Sequence, residues 1–235
     1  AVMVQGDTFS TLAGAQAAYF KDIPVIHVEA GLRTYRKNPW PEEMIRRQVD
    51  GMASIGFAPT ERAAMVLMGE HNWRWKGEMV GNTIIDRIMM EPDTWDLRPA
   101  NPTIICSLHR RESWDCFEVM MGLIGQVCEK MQDYYFLFPT HPNGKLVLKS
   151  NKDLGENVQV LPAQDYRKML ALLRRSSAVI TDSGGLIEEA AFFKKPCFIL
   201  RDETERGESI GVGQAKLMGR GKGISKIPYL MDNLD

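Results

Sequence analysis

The sequence has almost no net charge: 29 Lys and Arg stand against 30 Asp and Glu, leaving a formal −1 over 235 residues. No global basic field therefore calls for nucleic acid or an anionic membrane surface. No apolar run approaches membrane-spanning length, and the first residues do not read as a basic, cleavable leader. Cysteines are few. Cys106, Cys116, Cys128 and Cys197 form no C-x-x-C pair and have no histidine cluster beside them. That pattern fits reduced thiols in a cytoplasmic protein better than a disulfide framework or a metal site. G-x-G-x-x-G, Walker A, H-E-x-x-H and G-x-S-x-G are all missing, which counts against NAD enzymes, P-loop NTPases, zincins and esterases. Fixed-period repeats and low-complexity tracts are missing too.

What is present is ordinary globular material, 44% hydrophobic and 25% charged, enough for one large domain or two modest ones. Short apolar runs at 2–5, 25–28, 55–58, 103–108, 135–139, 158–161, 178–181 and 197–200 read as buried strands. Helical patterns fall at 8–20, 41–52, 61–68, 84–90, 116–131, 165–174 and 186–193. Strands alternating with helices imply βαβ units and parallel sheets, an α/β class with ligands at the strands' C-terminal edge. Prolines and turn formers between Gly81 and Pro102 suggest a linker, so the expected division is 1–80 and 81–235. Because Ala1–Gln5 already reads as a strand, the chain is expected to begin inside a domain.

Six constellations stand out, five of them where strands end and one at a helix start. Gln5-Gly6-Asp7-Thr8 offers either a helix cap or a carboxylate facing a ligand. His27-Val28-Glu29-Ala30-Gly31-Leu32-Arg33 ends a second strand at a carboxylate, with a Glu–Arg surface pair as the plainer reading; His27 itself fits a core histidine. Two carboxylates close together push their proton affinities apart, which suits acid/base work. Pro41-Glu42-Glu43 suits a helix start, and a carboxylate there can also serve a ligand. His109-Arg110-Arg111 either suits a phosphate, the guanidinium fork matching its oxygens, or is a solvated charge run. Asp182-Ser183-Gly184-Gly185 joins a strand to a helix and is either a ready anion cradle, with Glu188 or Glu189 available to ribose hydroxyls, or a plain Gly-Gly turn without ligand. Arg206, in Arg201-Asp202-Glu203-Thr204-Glu205-Arg206, either clamps a diphosphate or belongs to a mixed-charge surface loop.

In order and spacing, these residues resemble the non-hydrolysing UDP-N-acetylglucosamine 2-epimerases over nearly the whole chain. The resemblance rests on Gly6-Asp7-Thr8, His27 to Arg33, Pro39-Trp40-Pro41-Glu42-Glu43, Phe57-Ala58-Pro59-Thr60-Glu61, Gly81-Asn82-Thr83, His109-Arg110-Arg111-Glu112, Thr181 to Gly185, and Thr204-Glu205-Arg206. Each motif is weak alone and the ordered set is specific. It implies two Rossmann-like domains around a cleft, as in glycosyltransferase-B proteins, and a cytoplasmic homodimer acting in cell-surface polysaccharide synthesis. It also implies interconversion of UDP-N-acetylglucosamine and UDP-N-acetylmannosamine without cofactor or metal. By the match, Asp7, Glu29, Glu42 and His109 are catalytic. Arg33, Arg46, Gln164, Ser183, Gly184, Gly185, Glu189 and Arg206 bind substrate, with Gln164 near uracil and Glu189 on the ribose.

The sequence departs from the family pattern at Ile45, Met169, Ile187 and Gly207. These swaps bear on substrate identity and turnover more than on fold. The family's opening Gly-Thr-Arg-Pro-Glu segment and following Lys have no counterpart, and a native chain longer at both ends is expected. Besides the epimerase, two other activities fit: a nucleotide-sugar-binding module without turnover, and a hydrolysing relative that releases UDP and N-acetylmannosamine. Trp73-Arg74-Trp75 reads as a packed surface loop.

Overall fold

In the computed structural model, which describes residues 1–70, 76–92, 101–140, 154–211 and 214–234, the chain divides into two units, Ala1–Asp86 and Arg87–Asp235. Trp73-Arg74-Trp75 and much of the expected linker (93–100) lie outside the described residues.

The first unit alternates strand and helix: β1 (Val2–Gln5), α1 (Phe9–Tyr19), β2 (Val25–Val28), α2 (Glu42–Met52), β3 (Ile55–Ala58), α3 (Glu61–Gly69), β4 (Lys76–Met79) and the start of α4 (Thr83–Met90). Its four strands pair in the order β1-β2-β3-β4, all parallel. Every strand therefore ends on the same edge, which brings the Gly6–Thr8 and Glu29–Gly31 turns side by side. Ala15, Ala18, Val25, Ile45, Val49 and Ala53 make its core. Within the Gln5–Thr8 segment it is Thr8 that caps α1: its hydroxyl accepts from the Thr11 N–H at 3.2 Å. Gly31 has a positive φ of 84° and packs on the Ala63 carbonyl where a Cβ would sit, so only glycine fits this turn.

The second unit holds β5 (Thr103–Ser107), α5 (Phe117–Lys130), β6 (Tyr135–Pro139), β7 (Val158–Leu161), α6 (Tyr166–Arg175), β8 (Ala178–Thr181), α7 (Gly184–Phe192), β9 (Cys197–Ile199), α8 (Gly207–Gly211), β10 (Ala215–Leu217) and α9 (Ile227–Asp232). The strands form one parallel sheet in the order β10-β9-β8-β5-β6-β7. Chain progress runs outward from β5 to β7, then returns to β8 and runs the other way to β10. The reversal lies between β5 and β8, the switch point where open α/β sheets leave a crevice for ligands. Complete burial of β8 matches its continuous apolar run, and Ile104, Ile180 and Phe198 pack beneath α5.

Two strands were not anticipated. β4, Lys-Gly-Glu-Met, has no β-branched residue, and β10 has only three residues; partner strands rather than propensity hold both in place. α7 starts two residues earlier than expected, because the helix takes in Gly184 and Gly185 despite their poor propensity. All four cysteines are free thiols. Among the described residues, no helix is long and apolar enough to cross a membrane.

Candidate functional site

Each unit gathers its own polar cluster at its strand ends. In the first, Glu29 follows β2 with a left-handed backbone (φ 68°), as does Gly6 after β1 (φ 70°). A non-glycine residue in that region is strained by on the order of 1 kcal/mol. The turn carries the Glu29 side chain over β1: one carboxylate oxygen lies 3.6 Å from where a Gly6 Cβ would stand. Asp7, next in sequence, receives the Arg46 guanidinium at 2.5 Å. Arg46 is buried in α2 and its other nitrogen lies 3.5 Å from Glu43. Glu43 in turn accepts the backbone N–H groups of Thr34 and Tyr35 at 3.0 Å each. Glu42 begins α2, partly exposed, beside this anchored residue.

Arg33 is placed differently from its expected substrate-binding role. It is buried, pairs with Asp50 at 2.7 Å, and forks onto both Glu70 oxygens at 2.9 and 2.6 Å. A guanidinium so committed holds the protein's own loops together. Burial works to lower the Arg33 pKa, and its two carboxylate partners outweigh that and raise it. Asp50 is the hub of the same network. Burial raises its carboxyl, but His27 at 2.5 Å and Arg33 together carry it below the usual carboxylate range. His27, fully buried, joins Asp50 to the Gly6 carbonyl, which lies 2.8 Å from its other nitrogen. Sequence reading did not single out Asp50. The available signal was a carboxylate on the buried face of α2, beside Val49.

In the second unit, the switch point is tied by Asp182, which is fully buried. Its carboxylate accepts the backbone N–H groups of His109 and Arg110, each at 3.0 Å, and the Ser113 hydroxyl at 2.9 Å. The loops after β5 and β8 are thereby joined. The His109 ring is partly exposed, with one nitrogen 3.8 Å from Asp182. Ser183 precedes α7, and its hydroxyl makes no capping bond. The first N–H groups of α7, at Gly184 and Gly185, have no partner within the helix and point outward with the positive end of its dipole.

Arg206 lies over that helix end. A Cβ on Gly184 would come 2.6 Å from an Arg206 nitrogen and 3.2 Å from one of Arg110. A side chain here would have to push those two guanidinium ends aside. Glu205, also buried, binds Arg206 and receives Arg201 at 3.0 Å. Glu188 binds Arg206 from α7 at 3.1 Å. An arginine pair over a helix N-terminus is suited to phosphate oxygens.

Glu189 is buried on α7. Burial pushes its carboxyl up to about 7; Tyr166 opposes the rise and Glu188 adds to it. Gln164 folds back on its own turn and donates to the Pro162 carbonyl at 2.6 Å. Met169 packs against the core under α7. Asp182, Glu205 and Tyr166 escaped sequence reading as separate contributors. Asp182 alone carried a signal, standing between a buried strand and Gly-Gly.

A family model described as UDP-N-acetylglucosamine 2-epimerase matches residues 1–225. A curated UDP-N-acetylglucosamine 2-epimerase of Neisseria meningitidis serogroup A is 35% identical over 236 residues, covering 93% of this chain and 63% of its own. One from Escherichia coli K12 is 35% identical over 240 residues, covering 94% and 64%. The chain thus spans a little under two thirds of the length of these relatives. Among solved structures, an S. aureus MnaA–UDP co-structure superposes with a TM-score of 0.90 at 32% identity, covering 99% of this chain and 67% of that one. The Neisseria meningitidis UDP-GlcNAc 2-epimerase bound to UDP-GlcNAc does so at 0.87 and 33%, covering 99% and 68%.

Proposed function

The chain belongs to the UDP-N-acetylglucosamine 2-epimerase family, and from that premise we propose that the protein interconverts UDP-N-acetylglucosamine and UDP-N-acetylmannosamine. A carboxylate takes the proton from sugar C2 as the C1–O bond to UDP breaks, giving a glycal and UDP. A carboxylic acid returns a proton to the opposite face of C2, and UDP re-forms the bond at C1. Asp7, Glu29 and Glu42 are the acid/base set. His109, Ser183, Gly184, Gly185 and Arg206 take up the charge that develops on the departing diphosphate. Glu189 receives the ribose hydroxyls and Gln164 approaches uracil. Arg46 orients Asp7, and Arg33 supports the fold from within. No step calls for a redox cofactor. Four free thiols favour a reducing, cytoplasmic setting, and the working assembly is a homodimer.

The observation that carries this reading is the convergence of Arg206, Ser183 and the Gly184 N–H end of α7 at the β5/β8 switch point, a built cradle for a nucleotide diphosphate. The full-length protein, incubated with UDP-N-acetylglucosamine in heavy water, is expected to place deuterium at C2 of UDP-linked sugar, read by NMR. Free N-acetylmannosamine would instead establish a hydrolysing enzyme. Binding without C2 exchange would establish a module that has lost turnover.

A further inference from the structure

Of the two arginines that follow His109, one is set apart by its surroundings. The backbone N–H of Arg110 is fastened to Asp182 at 3.0 Å, so its Cα is fixed to the loop that carries the cradle. Its guanidinium lies at the end of α7, approaching the same point over Gly184 that Arg206 approaches. Two guanidinium nitrogens so close to one point can both touch a single phosphate group. Arg111, by contrast, is exposed and opens the short 3-10 helix Arg111–Cys116.

Neighbouring charges distinguish Arg110 further. Arg206 is already held by Glu205 and Glu188, so it meets a ligand only by sharing or exchanging those partners. Arg110 stands 3.9 Å from Glu205 and 4.0 Å from Glu112, beyond hydrogen-bond length. The carboxylates hold it in place electrostatically and leave its donors to a ligand. Arg201 and Arg206 also crowd Glu205, so three cations share that one buried anion.

We propose that Arg110 is a second guanidinium of the diphosphate cradle, acting with Arg206 on the phosphates of a nucleoside diphosphate. The proposal rests on the nucleotide-sugar reading above. It adds a binding residue whose contribution depends on ligand charge and is indifferent to the nucleoside.

Titration calorimetry on the full-length protein, with UDP and with uridine, separates the two ideas. Arg110→Met is expected to weaken UDP by about 10- to 100-fold, the worth of a charge-assisted hydrogen bond. Uridine binding should stay within about twofold, Arg110→Lys should recover part of the loss, and Arg111→Met should change little. Because the Arg110 guanidinium makes no hydrogen bond among the described residues, these variants should fold. UDP binding that stays within twofold in Arg110→Met overturns the assignment, as does an equal loss of uridine and UDP, which marks a structural role. Failure of the unaltered protein to bind UDP overturns the nucleotide-sugar reading and this residue with it.

Discussion

The buried carboxylate of Asp182 accepts the backbone N–H of His109 at 3.0 Å, and that bond joins the loops on either side of the sheet's reversal point. With the Arg110 N–H and the Ser113 hydroxyl, the carboxylate serves three donors. Asp182→Asn keeps the shape but turns an amide N–H₂ toward donors. The expected cost is about 2–4 kcal/mol of stability, since buried donors lose their acceptor. Urea unfolding measures it. UDP affinity should fall as well, because the cradle's two loops no longer share an anchor. An unchanged unfolding midpoint would refute the anchoring role.

Glu189 gives the cradle a pH response. Burial raises its folded value from the ordinary 4.5 to about 7, so the folded state binds this proton more tightly than the unfolded chain does. Its contribution to stability is therefore greatest below the unfolded value and declines as pH rises through 7, by on the order of 3 kcal/mol. Glu189→Gln removes the titration. It should be more stable than the unaltered protein at pH 8 and close to it at pH 5, by thermal melts. The ionised carboxylate is the better acceptor for ribose hydroxyls, so UDP should bind more tightly as pH rises through 7, with Glu189→Gln flat across that range. A UDP affinity that ignores pH in the unaltered protein would remove Glu189 from the ribose site.

Much of this architecture was legible beforehand, and the reasons differ by element. β8 announced itself because Ala178–Thr181 is a wholly buried apolar run bounded by turn residues. The Gly-Gly turn after it was recognisable because few other residues tolerate such close approach. β4 and β10 were hidden because their neighbours, not their residues, make them strands. The partners of Arg33 were hidden for a similar reason. Sequence shows a Glu–Arg spacing, whereas the actual partners are Asp50, 17 positions on, and Glu70, 37 positions on. Long-range pairing chosen by the fold is what one-dimensional spacing cannot carry. Glu205 acts inward on Arg201 and Arg206, and nothing in its local sequence distinguishes an inward carboxylate from a surface one.

The two glycines of the cradle should respond differently to a single methyl group. On Gly184 it would meet the Arg206 guanidinium at 2.6 Å, whereas on Gly185 it meets nothing within 4 Å. The Arg206 end is flexible, so Gly184→Ala is expected to fold while displacing that guanidinium and weakening UDP by about 10-fold or more. Gly185→Ala should gain up to about 1 kcal/mol of stability from helix propensity. Melting temperatures and UDP titrations on the pair read both effects. Equal UDP affinities for Gly184→Ala and the unaltered protein would show that Arg206 does not need its present seat.

The sharpest separation concerns the first unit's carboxylates. Asp7 and Glu29 lie at the ends of adjacent parallel strands, while the groups assigned to UDP all belong to the second unit. Asp7→Asn and Glu29→Gln keep size and remove charge. Asp7→Asn costs Arg46 its ion pair, a loss of about 1–2 kcal/mol for a partner one third exposed. Neither change removes a group assigned to the diphosphate. UDP affinity should therefore stay within about twofold, while deuterium incorporation at C2 falls by about 10²- to 10⁴-fold, the usual worth of a positioned acid or base. If C2 exchange survives both substitutions, proton transfer belongs to other residues. If UDP affinity collapses together with exchange, these carboxylates serve binding, and the division of labour between the two units is wrong.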